Sequence, residues 1–275
     1  MTAGPPIPSP TSPTTPTPPQ AATATAPPSA PPVVTEDLDT LLLCATPIST
    51  YVQEQALTNA SGFFFERGER LFLVTSRHVV YDEPSAHFPD RLGLLFHTSG
   101  SDLTQAAGFS VPLYRDARAL WRQGKDSGGE IDVAMIELER EALPAKGRFA
   151  AFTPEHLQVA PARVEPGCPV LVLGFPLGFH DTLHHLPVVR QAAVASAYGI
   201  RFQGQGYFLT DARTHRGTSG APVVMRDAGP AALPWKLLGV HSARLDMANR
   251  DRVEDESLGL NCAWYADILM TLSEG

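Results

Sequence analysis

The 275 residues carry a formal net charge of -8, with 43% hydrophobic and 18% charged side chains. That is globular composition, long enough for one large domain or two small ones. An excess of acid over base excludes a general nucleic-acid binder, because phosphate contacts need surplus Lys and Arg. Cys44, Cys168 and Cys262 are odd in number and far apart, which fits neither a disulfide framework nor a zinc-ligand spacing and points to a reducing compartment.

Residues 1–35 are almost entirely Pro, Thr, Ala and Ser. So few apolar side chains cannot offset the entropy of ordering, and a disordered, partly polyproline-like tether is expected there. The segment has neither the basic nor the apolar region of a secretory signal. No run further on approaches the ~20 apolar residues that span a bilayer. A cytoplasmic protein with no membrane partner is the expectation.

From Glu36 the texture changes to short runs of Val, Leu, Phe and Ile broken by Gly, Pro, Asn and Asp, the pattern of many strands. SGFFFERGERLFLVTS reads as a hairpin turning at Arg67-Gly68. Further strands are expected in RLGLLFH, GFSVPLY, IDVAMIEL, CPVLVLGFP, LPVVRQAAVASA, GYFLTDA, APVVM and KLLGVHSA. Only Ala263 to Leu272 has helical apolar spacing. The expected fold is all-β, built as two packed barrels or a sandwich and closing in a C-terminal helix.

Three local motifs carry chemistry. Thr75-Ser76-Arg77-His78-Val79 follows the strand LFLV, Asp132-Val133-Ala134 opens another strand, and Gly217-Thr218-Ser219-Gly220-Ala221-Pro222 precedes a third. A serine hydroxyl becomes nucleophilic when an imidazole takes its proton, and a carboxylate on the far nitrogen fixes the imidazole's tautomer. The oxyanion that follows needs preoriented N–H donors. The backbone N–H groups of Gly217 and Ser219 are the expected pair. The order His, Asp, Ser and the pattern G-x-S-G exclude an α/β-hydrolase, which uses G-x-S-x-G and places its serine first.

TSRHVV, DVAMI and GTSGAPV resemble, in the same chain order, the corresponding segments of trypsin-like peptidases. ASGFFF, VLVLGFPLG, FLTDARTHRGTSGAPVV and LLGVHSA extend the likeness to the HtrA-like and glutamyl-endopeptidase-like branch, over most of the chain from about residue 40. The resemblance implies two six-stranded antiparallel barrels over residues 36–275 with the active site between them. It implies His78, Asp132 and Ser219 as a catalytic triad and a protein or peptide as substrate. Thr218 stands where digestive trypsins carry aspartate, which implies a site formed without activation cleavage. Nothing after the barrels resembles a PDZ domain, so regulation is expected from a protein partner or from loop ordering.

Thr214 and His241 match the residues with which glutamyl endopeptidases bind the side chain before the scissile bond, and Ser242 adjoins them. The resemblance therefore implies a preference for Glu or Gln. A pseudo-protease that holds an extended peptide, or a latent effector domain within a larger complex, is the competing class.

No nucleotide cofactor is expected, since neither G-x-G-x-x-G nor a P-loop occurs. His180, His184 and His185 lack the helical spacing of a zinc pair and read as a solvated loop, so no metal is expected. RDRVEDESLG, with charges of both signs, reads as a surface loop.

Overall fold

A computed structural model describes residues 38–158, 163–227, 232–246 and 257–274. The expected tether at 1–35 and most of RDRVEDESLG lie outside the described residues. The first barrel is a seven-stranded sheet formed by β1 (Ala45–Val52), β2 (Gln55–Arg67), β3 (Arg70–Thr75), β4 (Arg91–His97), β5 (Ala106–Pro112), β8 (Trp121–Asp126) and β9 (Gly129–Leu138). Its order is β5-β4-β1-β2-β3-β9-β8. It holds seven strands rather than six because β8 adds itself beside β9. A two-stranded ribbon, β6 (Tyr114–Arg115) with β7 (Arg118–Ala119), precedes β8.

The second barrel has six strands in the order β11-β10-β13-β14-β15-β12. They are β10 (Pro169–Gly174), β11 (Val188–Ala193), β12 (Tyr207–Thr210), β13 (Pro222–Arg226), β14 (Trp235–Asp246) and β15 (Ser257–Tyr265). Among the described residues there are two short α-helices, α1 (Arg77–Val80) after β3 and α2 (Ile268–Leu272) after β15. This is the all-β, two-barrel chymotrypsin-like arrangement.

The sequence explains why the central strands are continuous apolar runs rather than alternating ones. In a strand, successive side chains point to opposite faces. On β2, Phe63 and Phe65 enter a core cluster drawn from both barrels, while Phe64 enters the first barrel's own interior. On β3 the split is Phe72 and Val74 against Leu71 and Leu73, and on β9 it is Val133 and Met135 against Ala134 and Ile136. A strand buried on both faces needs apolar residues at every position. The second barrel repeats the device, with Leu173 and Val224 in the shared cluster and Val172 and Val223 inside the barrel. Each such phenylalanine contributes about 1.5–3 kcal/mol by burial.

The C-terminal helix is shorter than the apolar spacing predicts. Ala263, Trp264 and Tyr265 belong to β15, where Trp264 pairs with both Tyr207 and Val240. Aromatic residues fit a pleated, half-buried surface, and two flanking strands outweigh the local helical period. The strand β1, rich in Thr, Ser and Pro, carried too weak an apolar signal to be anticipated. It is held partly by side-chain bonds to backbone, Thr46 Oγ1 to Leu95 O at 3.1 Å and Thr50 Oγ1 to Thr58 O at 3.2 Å.

Candidate active site

Pairing of β3 with β9 places Thr75 beside Ala134, so the turn leaving β3 meets the side of β9 that carries Asp132. There, α1 starts at once and presents His78. Asp132 accepts two bonds from this one residue, the backbone N–H to Oδ1 at 2.9 Å and ring Nδ1 to Oδ2 at 2.7 Å. The double contact fixes the ring's position and leaves Nε2 with no hydrogen-bond partner among the described residues. Ser242 Oγ donates to the same Oδ2 at 2.5 Å.

Burial pulls the His78 imidazole toward neutrality, and the hydrogen bond and charge of Asp132 more than reverse that, so its pKa lies above the ordinary 6.5. For Asp132, burial favours protonation, but the His78 bond and charge together with the Ser242 hydroxyl hold its carboxyl below the usual range.

Ser219 sits in the loop before β13. Its carbonyl accepts from Ser61 N–H at 2.9 Å, and the following Gly220 N–H donates to His241 O at 2.8 Å. Gly220 has φ +87°, and a Cβ there would collide with Ser61 O and Thr75 Oγ1, so only glycine lets the loop pass so close to the first barrel. The Ser219 hydroxyl donates to Ser242 O at 3.0 Å. No hydrogen bond to His78 is made. Both residues nevertheless line one cleft of about 600 Å³, with Asn59, Ala60, Asp82, Arg216 and Gly217. Catalytic hydrogen bonds often tighten only when substrate arrives.

In a trans peptide the C=O and the following N–H point in opposite directions. Arg216 O accepts from Leu177 N–H at 2.6 Å, and Thr218 O accepts from Ala221 N–H at 3.0 Å. The N–H groups of Gly217 and Ser219 are therefore turned the other way, and neither donates to a protein acceptor among the described residues. Two free, preoriented donors beside Ser219 are what an oxyanion requires.

The expected specificity residues are all buried, Thr214 at 3%, His241 at 2% and Ser242 at 4% exposure, and none lines the cleft. Thr214 Oγ1 donates to Asn261 Oδ1 at 2.5 Å, and Asn261 Nδ2 donates in turn to Thr210 O and Ala212 O. The His241 imidazole is pushed down to about 4 by burial and by the nearby His78, and its Nδ1 is buried without a partner. Thr214 and His241 share no hydrogen bond.

Ser61 and Asn261 were missed because each is one small polar residue next to an apolar run. Their only sequence signal is that placement, in ASGFFF and LGLNCAWY. The histidine loop also differs from the solvated segment expected. His180, His184 and His185 are half-buried, with His184 on Asp181 at 2.7 Å and the ring of His185 6.3 Å from that of His97. The buried His97, 83 residues or more away in sequence, draws them in through Nε2 on His184 O at 2.7 Å. No group of these residues is arranged to hold a metal among the described residues.

The fold defines the class, the two-barrel chymotrypsin-like architecture. Residues 60–231 match the family described as the trypsin-like peptidase domain, and the chain belongs to that family. Among solved structures it is similar to the HtrA-type protease AlgW with a tripeptide, at 14% identity and a TM-score of 0.50. A variant of AlgW with a tripeptide gives 15% and 0.51. In both, 85% of this chain is covered against 60% of the other. A serine endoprotease from Yersinia pestis gives 14% and 0.48, with 85% of this chain and 62% of that one covered. The chain thus spans about three-fifths of the length of these proteins. No curated protein matches it in sequence. No described helix is long and apolar enough to cross a membrane.

Proposed function

We propose that this chain is a serine endopeptidase that hydrolyses peptide bonds through an acyl-enzyme, its peptidase domain spanning residues 36–275. The observation that carries the reading is the doubly bonded His78–Asp132 pair in one cleft with Ser219 and two unpaired N–H donors. His78 Nε2 takes the Ser219 proton as Oγ attacks the scissile carbonyl carbon, and Asp132 stabilises the imidazolium. The Gly217 and Ser219 N–H groups receive the oxyanion. On collapse the C–N bond breaks, and the amine leaves with the proton held on His78. Water, deprotonated by the same nitrogen, then attacks the ester and releases the acid and the Ser219 hydroxyl.

For the residue before the scissile bond we propose Gln or Glu. His241 is neutral near pH 7 and can offer one ring N–H. Thr214 has given its proton to Asn261 and can offer only lone pairs. A donor and an acceptor together suit the Gln amide better than the Glu carboxylate. Cleavage of a peptide library after small apolar residues would overturn this preference.

A second reading, a latent domain opened by a regulatory protein partner, is favoured by the Ser219 hydroxyl resting on Ser242 O and by the burial of Thr214 and His241. Three free cysteines fit work in the cytoplasm. Fluorophosphonate labelling decides between the readings. The endopeptidase reading expects labelling of the isolated wild type that is lost in Ser219→Ala and His78→Ala. A folded wild type that does not label supports the latent domain.

A further inference from the structure

Ser61 comes from β2 of the first barrel and is wholly buried, yet it touches the oxyanion loop of the second barrel at two places. Its N–H donates to Ser219 O at 2.9 Å, and its hydroxyl donates to Gly217 O at 2.7 Å. The same hydroxyl accepts from Phe175 N–H at 2.9 Å, and the Ser61 carbonyl accepts from Thr75 Oγ1 at 2.8 Å. Opposite Ser61 on β1 stands Pro47, which has no N–H to offer, so the strand ladder does not claim that carbonyl.

The Gly217 donor is held from both sides. Before it, Leu177 N–H fixes Arg216 O, and after it, the Ser61 hydroxyl fixes Gly217 O. Gly217 has φ +89°, and a glycine peptide with neither anchor turns over at little cost. The Ser61 hydroxyl also anchors Phe175, the residue from which the Pro176–Gly178 turn starts. That turn carries the Leu177 donor, so one hydroxyl supports both anchors.

We propose that Ser61 is a positioning residue for the oxyanion hole, holding the Gly217 and Ser219 N–H groups toward the cleft by hydrogen bonds to the carbonyls of the same two residues. The proposal rests on the serine endopeptidase reading above. Ser61→Ala removes a donor and an acceptor together and leaves Gly217 O and Phe175 N–H without their partner. Neither His78 nor Asp132 touches Ser61, so the acid–base pair is untouched.

The test is the second-order rate of fluorophosphonate labelling across pH for wild type, Ser61→Ala and Ser61→Cys, because the phosphonyl oxygen must enter the hole. In Ser61→Ala the rate is expected to fall roughly tenfold or more, as for a weakened oxyanion donor. The pH midpoint, set by His78, should stay where it is. Ser61→Cys keeps a weaker donor at nearly the same volume and should fall between the two. If Ser61→Ala does not fold, the Cys variant alone carries the comparison. A variant rate equal to wild type, or a midpoint that moves with the rate, overturns the role of Ser61 alone. Absence of Ser219-dependent labelling in folded wild type overturns the endopeptidase reading and this proposal with it.

Discussion

Asp132 accepts three hydrogen bonds, and only one of them comes from the ring it orients. The pH dependence of the site follows from that imbalance. His78 must be neutral to act as a base, and Asp132 raises its pKa above 6.5. Activity should therefore be present at higher pH and be lost as pH falls through a midpoint above 6.5. In Asp132→Asn burial acts on the imidazole without the carboxylate to oppose it, so the midpoint should drop below 6.5. The rate should fall by about 10⁴, as the amide stabilises the wrong tautomer. A pH profile of labelling in the two proteins checks both, and an unmoved midpoint would remove Asp132 from its assigned role. Gly220 gives a second residue-scale outcome. Gly220→Ala would force a Cβ to 2.9 Å from Thr75 Cα at a φ of +87°, so a loss of several kcal/mol is expected by denaturant titration, with labelling lost as well.

Among the elements, α2 is instructive because five residues are too few to hold a helix by themselves. Leu269 and Leu272 bury its inner face, and three arginines from the first barrel meet its C-terminal carbonyls. Arg67 Nη1 reaches Met270 O at 2.8 Å, Arg122 Nη1 reaches Leu272 O at 2.9 Å, and Arg70 Nη1 reaches Ser273 O at 3.1 Å. Cations at a helix C-terminus satisfy orphan carbonyls and oppose the dipole. Arg67→Ala is expected to cost about 1–2 kcal/mol and to speed amide exchange at Leu269–Ser273, with the β2 and β3 amides unchanged. Uniform acceleration would mean that the contact belongs to global stability instead. This dependence also explains what was legible. The runs FFF, LFLV and VAMI announced their strands because both faces are buried. The helix was read too long because its identity lies in the three arginines and in the pairing of Trp264, neither of which is local.

At the scale of the whole molecule, the residues proposed to do chemistry and the residues that hold them differ in how far their partners lie along the chain. His78, Asp132 and Ser219 each sit in a short motif with a recognisable strand beside it. Ser61 acts on Gly217, 156 positions away, and Asn261 on Thr214, 47 away, so nothing near either residue could announce its partner. His241 belongs with these supports. Its carbonyl takes the Gly220 N–H and the Ser76 hydroxyl, joining β14 to the loop of Ser219 and to the start of α1. Its ring is buried and neutral, with a pKa near 4 against 6.5 when exposed. Between those values the unfolded chain binds a proton that the folded chain refuses. The stability this withholds is complete above 6.5 and is lost as pH falls toward 4, by up to about 3 kcal/mol. The raised pKa of His78 has the opposite sign, adding stability that is full below 6.5 and is lost as pH rises through its folded value. Comparing wild type with His241→Met separates the two, because only the His241 contribution differs between them. Urea midpoints should fall further between neutral pH and about pH 4.5, toward the acid end of the window, in wild type than in the variant. Equal falls would assign the acid sensitivity to the carboxylates and leave His241 as a backbone brace alone.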